Sequence, residues 1–325
     1  MNKPASPLRR LILGAALAAP AAGFAQPAYP NKPIRIVTPF PPGGSADVLA
    51  RVIGEKLQES LKQPVVVDSR PGGNTLIAAG YVAQAAPDGY TLMIAIDFTL
   101  ALTKALYRQL PFDPDRDFAP VSMLTTQPLL LLSNPKTLPA KTGPELVAYA
   151  KANVGKLNVG VGAVTSTLVW EAMKASTGIN GELINYRGSQ PTTTALLAGD
   201  TNVAVDAPLT NLPFIKEGRI TALAVTSRTR MAALPQTPTV LELGLPAMEF
   251  LSYFCLVAPA RTPRDIVVKL SAEMRRIMAM PDVQARLGEF ALTATSSTPE
   301  ELQAMIKGFS DQWSPVVRRA NIRMD

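Results

Sequence analysis

Along this chain, short runs of β-branched apolar residues alternate with stretches in which apolar residues recur every three or four positions. The clearest case spans residues 34–53. Ile34, Ile36 and Val37 read as a buried strand, while Val48, Leu49, Val52, Ile53 and Leu57 recur at helical spacing and make one apolar face. Between them, Pro39-Phe40-Pro41-Pro42-Gly43-Gly44-Ser45-Ala46-Asp47 stops the strand; Ser45 is the expected N-cap and Asp47 the acid of the first turn. A second strand over 65–67, a glycine-bearing loop over 68–75, a helix over 76–85, a turn at 87–90, a strand over 91–96 and a helix from Asp97 to Tyr107 continue the series. This βαβαβα order predicts a mostly parallel sheet.

A polar, proline-rich connector (111–120) and strands over 121–124 and 129–132 precede a second series. Thr142-Gly143-Pro144-Glu145 has the form of a capping box opening a helix to Ala152. Strands follow over 157–161, 182–184, 203–205 and 220–225, with loops at 162–167 and 185–190, helices over 168–176, 191–198 and 211–217, and Asp206-Ala207-Pro208 closing one strand. A return strand over 250–257 leads to helices over 263–278, 281–287 and 299–318, with a short strand near 292–295. Thr298-Pro299-Glu300-Glu301 marks the last helix start. Two βα series joined by two crossings predict an α/β protein of two lobes around a cleft, with residues 26–126 and 258–325 in one lobe and 127–257, return crossing included, in the other. Loops at the C-terminal ends of the strands then face the cleft. Helix N-termini there offer free N–H groups and a partial positive charge, which suits a carboxylate or another anion. One Gly-Gly loop is an ordinary βα turn, and this one matches neither the Walker loop nor Gly-x-Gly-x-x-Gly. Its recurrence along the chain is what points to binding.

Composition sharpens the picture in three ways. Apolar residues make up 47% and charged residues 18% of the 325 positions, enough for sizeable cores, and 30 prolines fall mainly between periodic segments. Residues 1–25 have the form of a secretory signal peptide: Arg9 and Arg10, an alanine-rich apolar run from Leu11 to Ala22, and Gly23-Phe24-Ala25 before a mature start at Gln26. The run is too short to span a membrane, no cysteine marks a lipid anchor, and no Ser or Thr precedes the arginine pair as twin-arginine export requires. Removing Lys3, Arg9 and Arg10 leaves 32 − 3 − 25 = +4 for the exported chain, a modest attraction for anions, and no basic run interleaved with aromatics calls for nucleic acid. Histidine is absent, which excludes Ser-His-Asp and Cys-His catalysis and any zinc site built on imidazole. Cys255 is the single cysteine and lies in an apolar run, as a buried inert thiol does. Asp113, Asp115 and Asp117 lack the Gly and Glu of a calcium loop. Neither a metal nor a cofactor is expected.

Several segments together resemble the periplasmic receptors of tripartite tricarboxylate transporters, the Bug or TctC-like family. They are Tyr29-Pro30-Asn31-Lys32-Pro33-Ile34, the loop from Pro39 to Asp47, Asp68-Ser69-Arg70-Pro71-Gly72, Ala86-Pro87-Asp88-Gly89-Tyr90-Thr91-Leu92 and Leu110-Pro111-Phe112-Asp113-Pro114. Tyr186-Arg187-Gly188-Ser189, Ala222-Leu223-Ala224-Val225-Thr226-Ser227, Leu234-Pro235-Gln236-Thr237-Pro238-Thr239-Val240 and Leu256-Val257-Ala258-Pro259-Ala260 follow in family order. The resemblance implies a type II periplasmic binding-protein fold, whose two lobes close on a small organic anion: a di- or tricarboxylate, an acidic amino acid or an aromatic carboxylate. It implies a periplasmic, non-enzymatic, monomeric receptor that hands its ligand to membrane permease subunits. Gly43, Gly44, Ser45, Ala46 and Asp47 would form one carboxylate clamp, bordered by Phe40, Asn74, Thr75, Asp97 and Thr99. Thr165, Ser166 and Thr167 would form the opposite clamp, with Arg187, Gly188, Ser189 and Asp206 nearby.

This chain departs from the family pattern at Thr167, where histidine is common, at Val164, where a hydroxyl is common, and at Ala207, where asparagine is common. The losses favour a ligand with an apolar or aromatic body touching Phe40, Phe98, Trp170 or Tyr253. For individual residues plainer readings stand beside these. Asp206 can be structural, accepting backbone N–H bonds. Arg187 can be a surface cation or a partner of Asp206, and Phe40 and Trp170 can be core. A secreted hydrolase using Ser45 or Ser166 lacks a histidine base, whereas a ligand-sensing partner of a membrane kinase is compatible with the receptor reading.

Overall fold

The computed structural model describes residues 29–324. The expected leader over 1–25, with its start at Gln26, lies outside the described residues. β1 (Ile34–Thr38), α1 (Ser45–Leu61), β2 (Val65–Ser69), α2 (Leu76–Ala83), β3 (Thr91–Ile96), α3 (Asp97–Ala101) and α4 (Thr103–Leu106) form the first series. The chain then runs through β4 (Phe118–Pro128) into β5 (Leu130–Ser133), α5 (Gly143–Ala152), β6 (Asn158–Val161), α6 (Val164–Thr177), β7 (Glu182–Asn185), α7 (Ser189–Ala198), β8 (Val203–Asp206), α8 (Pro208–Lys216) and β9 (Thr221–Val225). It returns through β10 (Leu251–Pro259) to α9 (Arg264–Met278), α10 (Pro281–Gly288), β11 (Thr293–Ala294) and α11 (Pro299–Arg319).

Two sheets result. One has six strands in the order β11-β4-β10-β3-β1-β2, the other five in the order β7-β6-β8-β5-β9. β1, β2 and β3 are mutually parallel, with Ile36 opposite Val67 and Leu92, and β6 runs parallel to β7 and β8. β10 is antiparallel to both β3 and β4. The whole of Leu251–Pro259 therefore belongs to the six-stranded sheet, whereas residues 251–257 were placed above with the second lobe.

Side-chain alternation divides the cores. On β10, Phe254, Leu256 and Ala258 face the core beneath α1 and α9, while Tyr253, Cys255 and Val257 face the other side. That second core is continuous between the sheets: it joins Val37 and Phe98 to Trp170 and Val205, and α11 packs on α6. A third core, with Leu130, Leu132 and Leu196, backs the five-stranded sheet.

Helix starts differ from the sequence pattern in instructive ways. At Thr298 the capping box is complete: its hydroxyl accepts from the Glu301 N–H at 3.2 Å, and the Glu301 carboxylate accepts from the Thr298 N–H at 2.8 Å. At Thr142 only half forms, because the Glu145 carboxylate reaches one residue further back, to the Lys141 N–H at 2.8 Å.

The two crossings are tied by one buried hydroxyl. Thr226 Oγ1 accepts from the Leu129 N–H (2.8 Å) and donates to the Phe250 carbonyl (2.6 Å). Thr226 is fully buried. Thr226→Val keeps the shape and leaves the Leu129 N–H without its acceptor. A loss of about 2 kcal/mol is expected in urea unfolding, with Thr226→Ser close to wild type. Equal stability of the valine variant would show that the bond is not needed at this junction.

Candidate functional site

At the end of β1 the chain turns through Gly43, at φ +89°, and enters α1 with Gly44 as N-cap. Ser45 is thus the first helical residue and not the cap expected from the sequence. The left-handed geometry of Gly43 starts the helix one position early. No side chain caps α1. The Asp47 carboxylate turns back: its Oδ2 accepts from the Gly43 N–H at 3.0 Å and from Arg51 Nε at 2.9 Å. The hydrogen bond from Arg51, aided by that from Gly43, holds the Asp47 carboxyl below the usual carboxylate range against the effect of burial. Asp47 Oδ1 is closed off from solvent and has no protein partner. Phe40, half-buried, accepts from Ser69 Oγ through its carbonyl at 2.7 Å.

The next two loops stand on the same sheet. Gly72, Gly73, Asn74 and Thr75 have φ values of +122°, +55°, +48° and +75°, four left-handed residues in succession. A β-branched threonine there is strained, and the surroundings hold it: Thr75 Oγ1 lies 2.8 Å from Thr99 Oγ1, and Asn74 Nδ2 donates to Tyr107 Oη at 3.1 Å. Asp97 caps the end of β3 but points inward. It is fully buried and accepts from the Phe98 N–H (2.5 Å), from Ser252 Oγ (2.5 Å) and from the Tyr253 N–H (3.3 Å). Burial pushes its carboxyl up to about 6, with those three bonds acting the other way.

In the five-stranded sheet, α6 starts at Val164 after the extended Ala163, so Thr165, Ser166 and Thr167 lie in its first turn and not in a loop. Thr165 and Ser166 are buried, and the Thr167 hydroxyl leans back to the Ala163 carbonyl. The β6–α6 turn touches the β7–α7 loop: the Gly188 N–H donates to the Gly162 carbonyl at 3.1 Å. A Cβ on Gly162 would stand 2.7 Å from the Gly188 carbonyl, so the approach requires glycine at 162. Asp206, 2% exposed, accepts from Ser189 Oγ at 2.6 Å and from Asn211 Nδ2 at 3.1 Å, joining the first turns of α7 and α8. Burial raises its carboxyl above the usual range. Arg187 is exposed and has no ion pair among the described residues.

The predicted residues thus fall into two groups, one at the strand ends of each sheet, with no hydrogen bond between the groups among the described residues. Trp170 and Tyr253, proposed above as ligand contacts, are 0% and 2% exposed and belong to the shared core; Phe98 is buried as well. Of the four aromatics, Phe40 alone stays partly open. Sequence reasoning placed Ser189 near the second clamp but missed Asn211 and Ser252; all three are polar side chains whose role is to hold Asp206 and Asp97. A cavity of about 520 Å³ lies away from these loops, beside the crossing strands at Pro128, Leu251 and Leu292. The arginines on its rim are paired, Arg228 with Glu249 at 2.7 Å and Arg230 with Glu242 at 3.0 Å, so it offers an anion little.

The helices that follow the parallel strands, α1, α2, α3, α6, α7 and α8, begin without a side-chain cap. α5 and α11, which lie elsewhere, are capped by Thr142 and Thr298, while α9 and α10 are uncapped but stand apart from these loops. Open N–H groups at the strand ends of both sheets are the chemistry of anion capture.

Residues 49–322 match the sequence profile described as "Tripartite tricarboxylate transporter family receptor". The chain belongs to this family. Among relatives, BugT of Bordetella pertussis is 34% identical over 314 residues, covering 93% of this chain and 95% of BugT. Among solved structures, R. palustris Rpa4515 with adipate has a TM-score of 0.81 at 32% identity, covering 91% of this chain and all of that one. MatC (Rpa3494) from Rhodopseudomonas palustris with bound malate has a TM-score of 0.76 at 30% identity, covering 89% of this chain and all of MatC. These likenesses to receptors of the family carry the two-lobed periplasmic binding-protein fold. No helix among the described residues is long and apolar enough to cross a membrane.

Proposed function

We propose that this family member is exported by its N-terminal leader, captures a small organic carboxylate between its two lobes and presents it to membrane permease subunits. The observation that carries the reading is the set of uncapped helix N-termini at the parallel strand ends of both sheets. One carboxylate is held at the start of α1, by the N–H groups of Ser45, Ala46 and Asp47, which have no intrahelical acceptor. Turning the Asp47 carboxylate back onto Gly43 and Arg51 removes its charge from the path of the anion. The far end of the ligand meets the N-terminus of α6 and the Arg187–Gly188 loop, with the buried Thr165 and Ser166 behind that turn. Asp97 and Asp206 support the loops from behind without touching ligand. The residues around these loops contain no paired acid and base, and the function is binding alone: closure follows from the greater affinity of the closed form for the anion.

Adipate and malate, bound by relatives of 32% and 30% identity, set the scale of the ligand. Calorimetric titration of residues 26–325 with adipate, malate, citrate and benzoate tests the reading. A Kd near 1 μM, about −8 kcal/mol, is expected for at least one aliphatic acid. Absence of heat and of any thermal shift with all four, after unfolding and refolding to strip carried-over ligand, would sink it.

A further inference from the structure

Resting on the carboxylate reading above, we infer that this receptor selects organic acids that carry no ammonium group over their 2-amino counterparts. Three acidic side chains stand among the predicted ligand residues, and the fold turns all three away from solvent. Asp47 is 4% exposed, with one oxygen bonded to Gly43 and Arg51 and the other closed off. Asp97 is fully buried beneath Ser252 and Tyr253. Asp206 is 2% exposed and tied to Ser189 and Asn211. Asp68, at the end of β2, sits between Arg35 at 2.8 Å and Arg70 at 2.9 Å.

The positive side of the balance is open. Arg187 is exposed on the β7–α7 loop without an ion pair among the described residues. The helix starts that surround it add partial positive charge. A carboxylate entering this space exchanges water for N–H groups and a guanidinium. An ammonium entering it loses water and meets no carboxylate. The half-buried hydroxyl of Ser45 can solvate the ammonium but cannot neutralise it, and burying an unpaired charge is strongly unfavourable. Selection therefore comes from charge balance and not from size, since a 2-amino group adds a single heavy atom to the acid.

The experiment compares matched pairs by calorimetry at pH 7.5: succinate with aspartate, glutarate with glutamate, and adipate with 2-aminoadipate. Each amino-free acid that binds is expected to bind at least about tenfold more tightly than its partner. An amino member that binds as tightly as its counterpart overturns this inference alone, while the carboxylate reading survives. Failure of every member of every pair overturns this inference, and the carboxylate reading falls with it when malate, citrate and benzoate also give no heat. A second arm uses Arg187→Glu, which supplies an exposed carboxylate at the loop. The ratio between succinate and aspartate is expected to narrow to within about threefold, with the urea midpoint unchanged. A ratio that stays at its wild-type value shows that charge balance at this loop does not set the preference, and overturns the mechanism.

Discussion

Gly44→Val is expected to abolish carboxylate capture while leaving the fold intact. Gly44 has φ −84° and ψ 173°, extended backbone that any residue adopts. A Cβ there meets nothing nearer than the Pro41 carbonyl at 3.8 Å. The substitution is therefore free of strain, and the melting temperature should stay within about 3 °C of wild type. Its effect falls on the ligand. An N-cap side chain lies over the N–H groups of the second and third helical residues, which is why serine and aspartate can cap there. Valine occupies that space with methyl groups and offers no acceptor. An anion held by two or three charge-assisted bonds, each about 1.5–3 kcal/mol, loses them together, so the affinity should fall at least about 100-fold. Gly43→Val is the contrasting case. With φ at +89°, the valine strains the backbone by about 1–2 kcal/mol or shifts the turn, so stability and affinity fall together. An adipate or malate isotherm unchanged in folded Gly44→Val would remove this loop from the site.

The parts of the fold that were legible in the sequence are those set by local period. β-branched runs such as Ile34 to Val37 and helical faces such as Val48 to Leu57 carry their own signal, and the order of the elements then dictates parallel sheets. The register of caps was less legible. Ser45 has the chemistry of an N-cap, yet the backbone of Gly43 decides where α1 begins. Thr165, Ser166 and Thr167 have modest helix propensity and looked like a loop, but the following apolar face from Leu168 to Met173 packs into the core and extends the helix over them. The roles of the acids were hidden for another reason. Asp97 stands beside Thr99 at a strand end, where a ligand contact is the natural reading. Its partner Ser252 is 155 residues away, and that pairing exists only once β10 lies against β3. Asp206 was open to a structural reading from the start, but the residues that hold it, Ser189 and Asn211, come from two different helices. Trp170 and Tyr253 were offered as ligand contacts because aromatic residues suit both clefts and cores, and the sequence around them does not tell the two apart.

Asp97 gives the largest expected effect of pH on stability, and its sign is opposite to that of the acids paired with arginines. Burial raises its carboxyl from 3.8 to about 6. Well below pH 4 the group is protonated in both folded and unfolded chains and contributes nothing to the pH dependence. Between pH 4 and 6 the unfolded chain ionises while the folded chain keeps its proton, so stability falls as pH rises through this window. The fall totals about 3 kcal/mol and is complete above pH 6–7. Asp47, Asp68 and Glu242, whose carboxyls are held low by arginines, act the other way: their stabilisation is present at neutral pH and is lost as pH falls below 4. The two effects separate in a difference experiment. Asp97→Asn removes the buried charge, keeps an acceptor for the Phe98 N–H, and lets the Ser252 hydroxyl rotate to accept from the new amide. Only the long bond from the Tyr253 N–H, 3.3 Å, goes unanswered. The variant should therefore be more stable than wild type by at least about 1 kcal/mol at pH 7.5 and no more stable at pH 4, with the difference developing between these values. Urea unfolding at half-unit steps of pH measures it. A variant destabilised by the same amount at every pH would mean that Asp97 enters the fold already ionised at no penalty, and that its three donors fully replace the water it leaves.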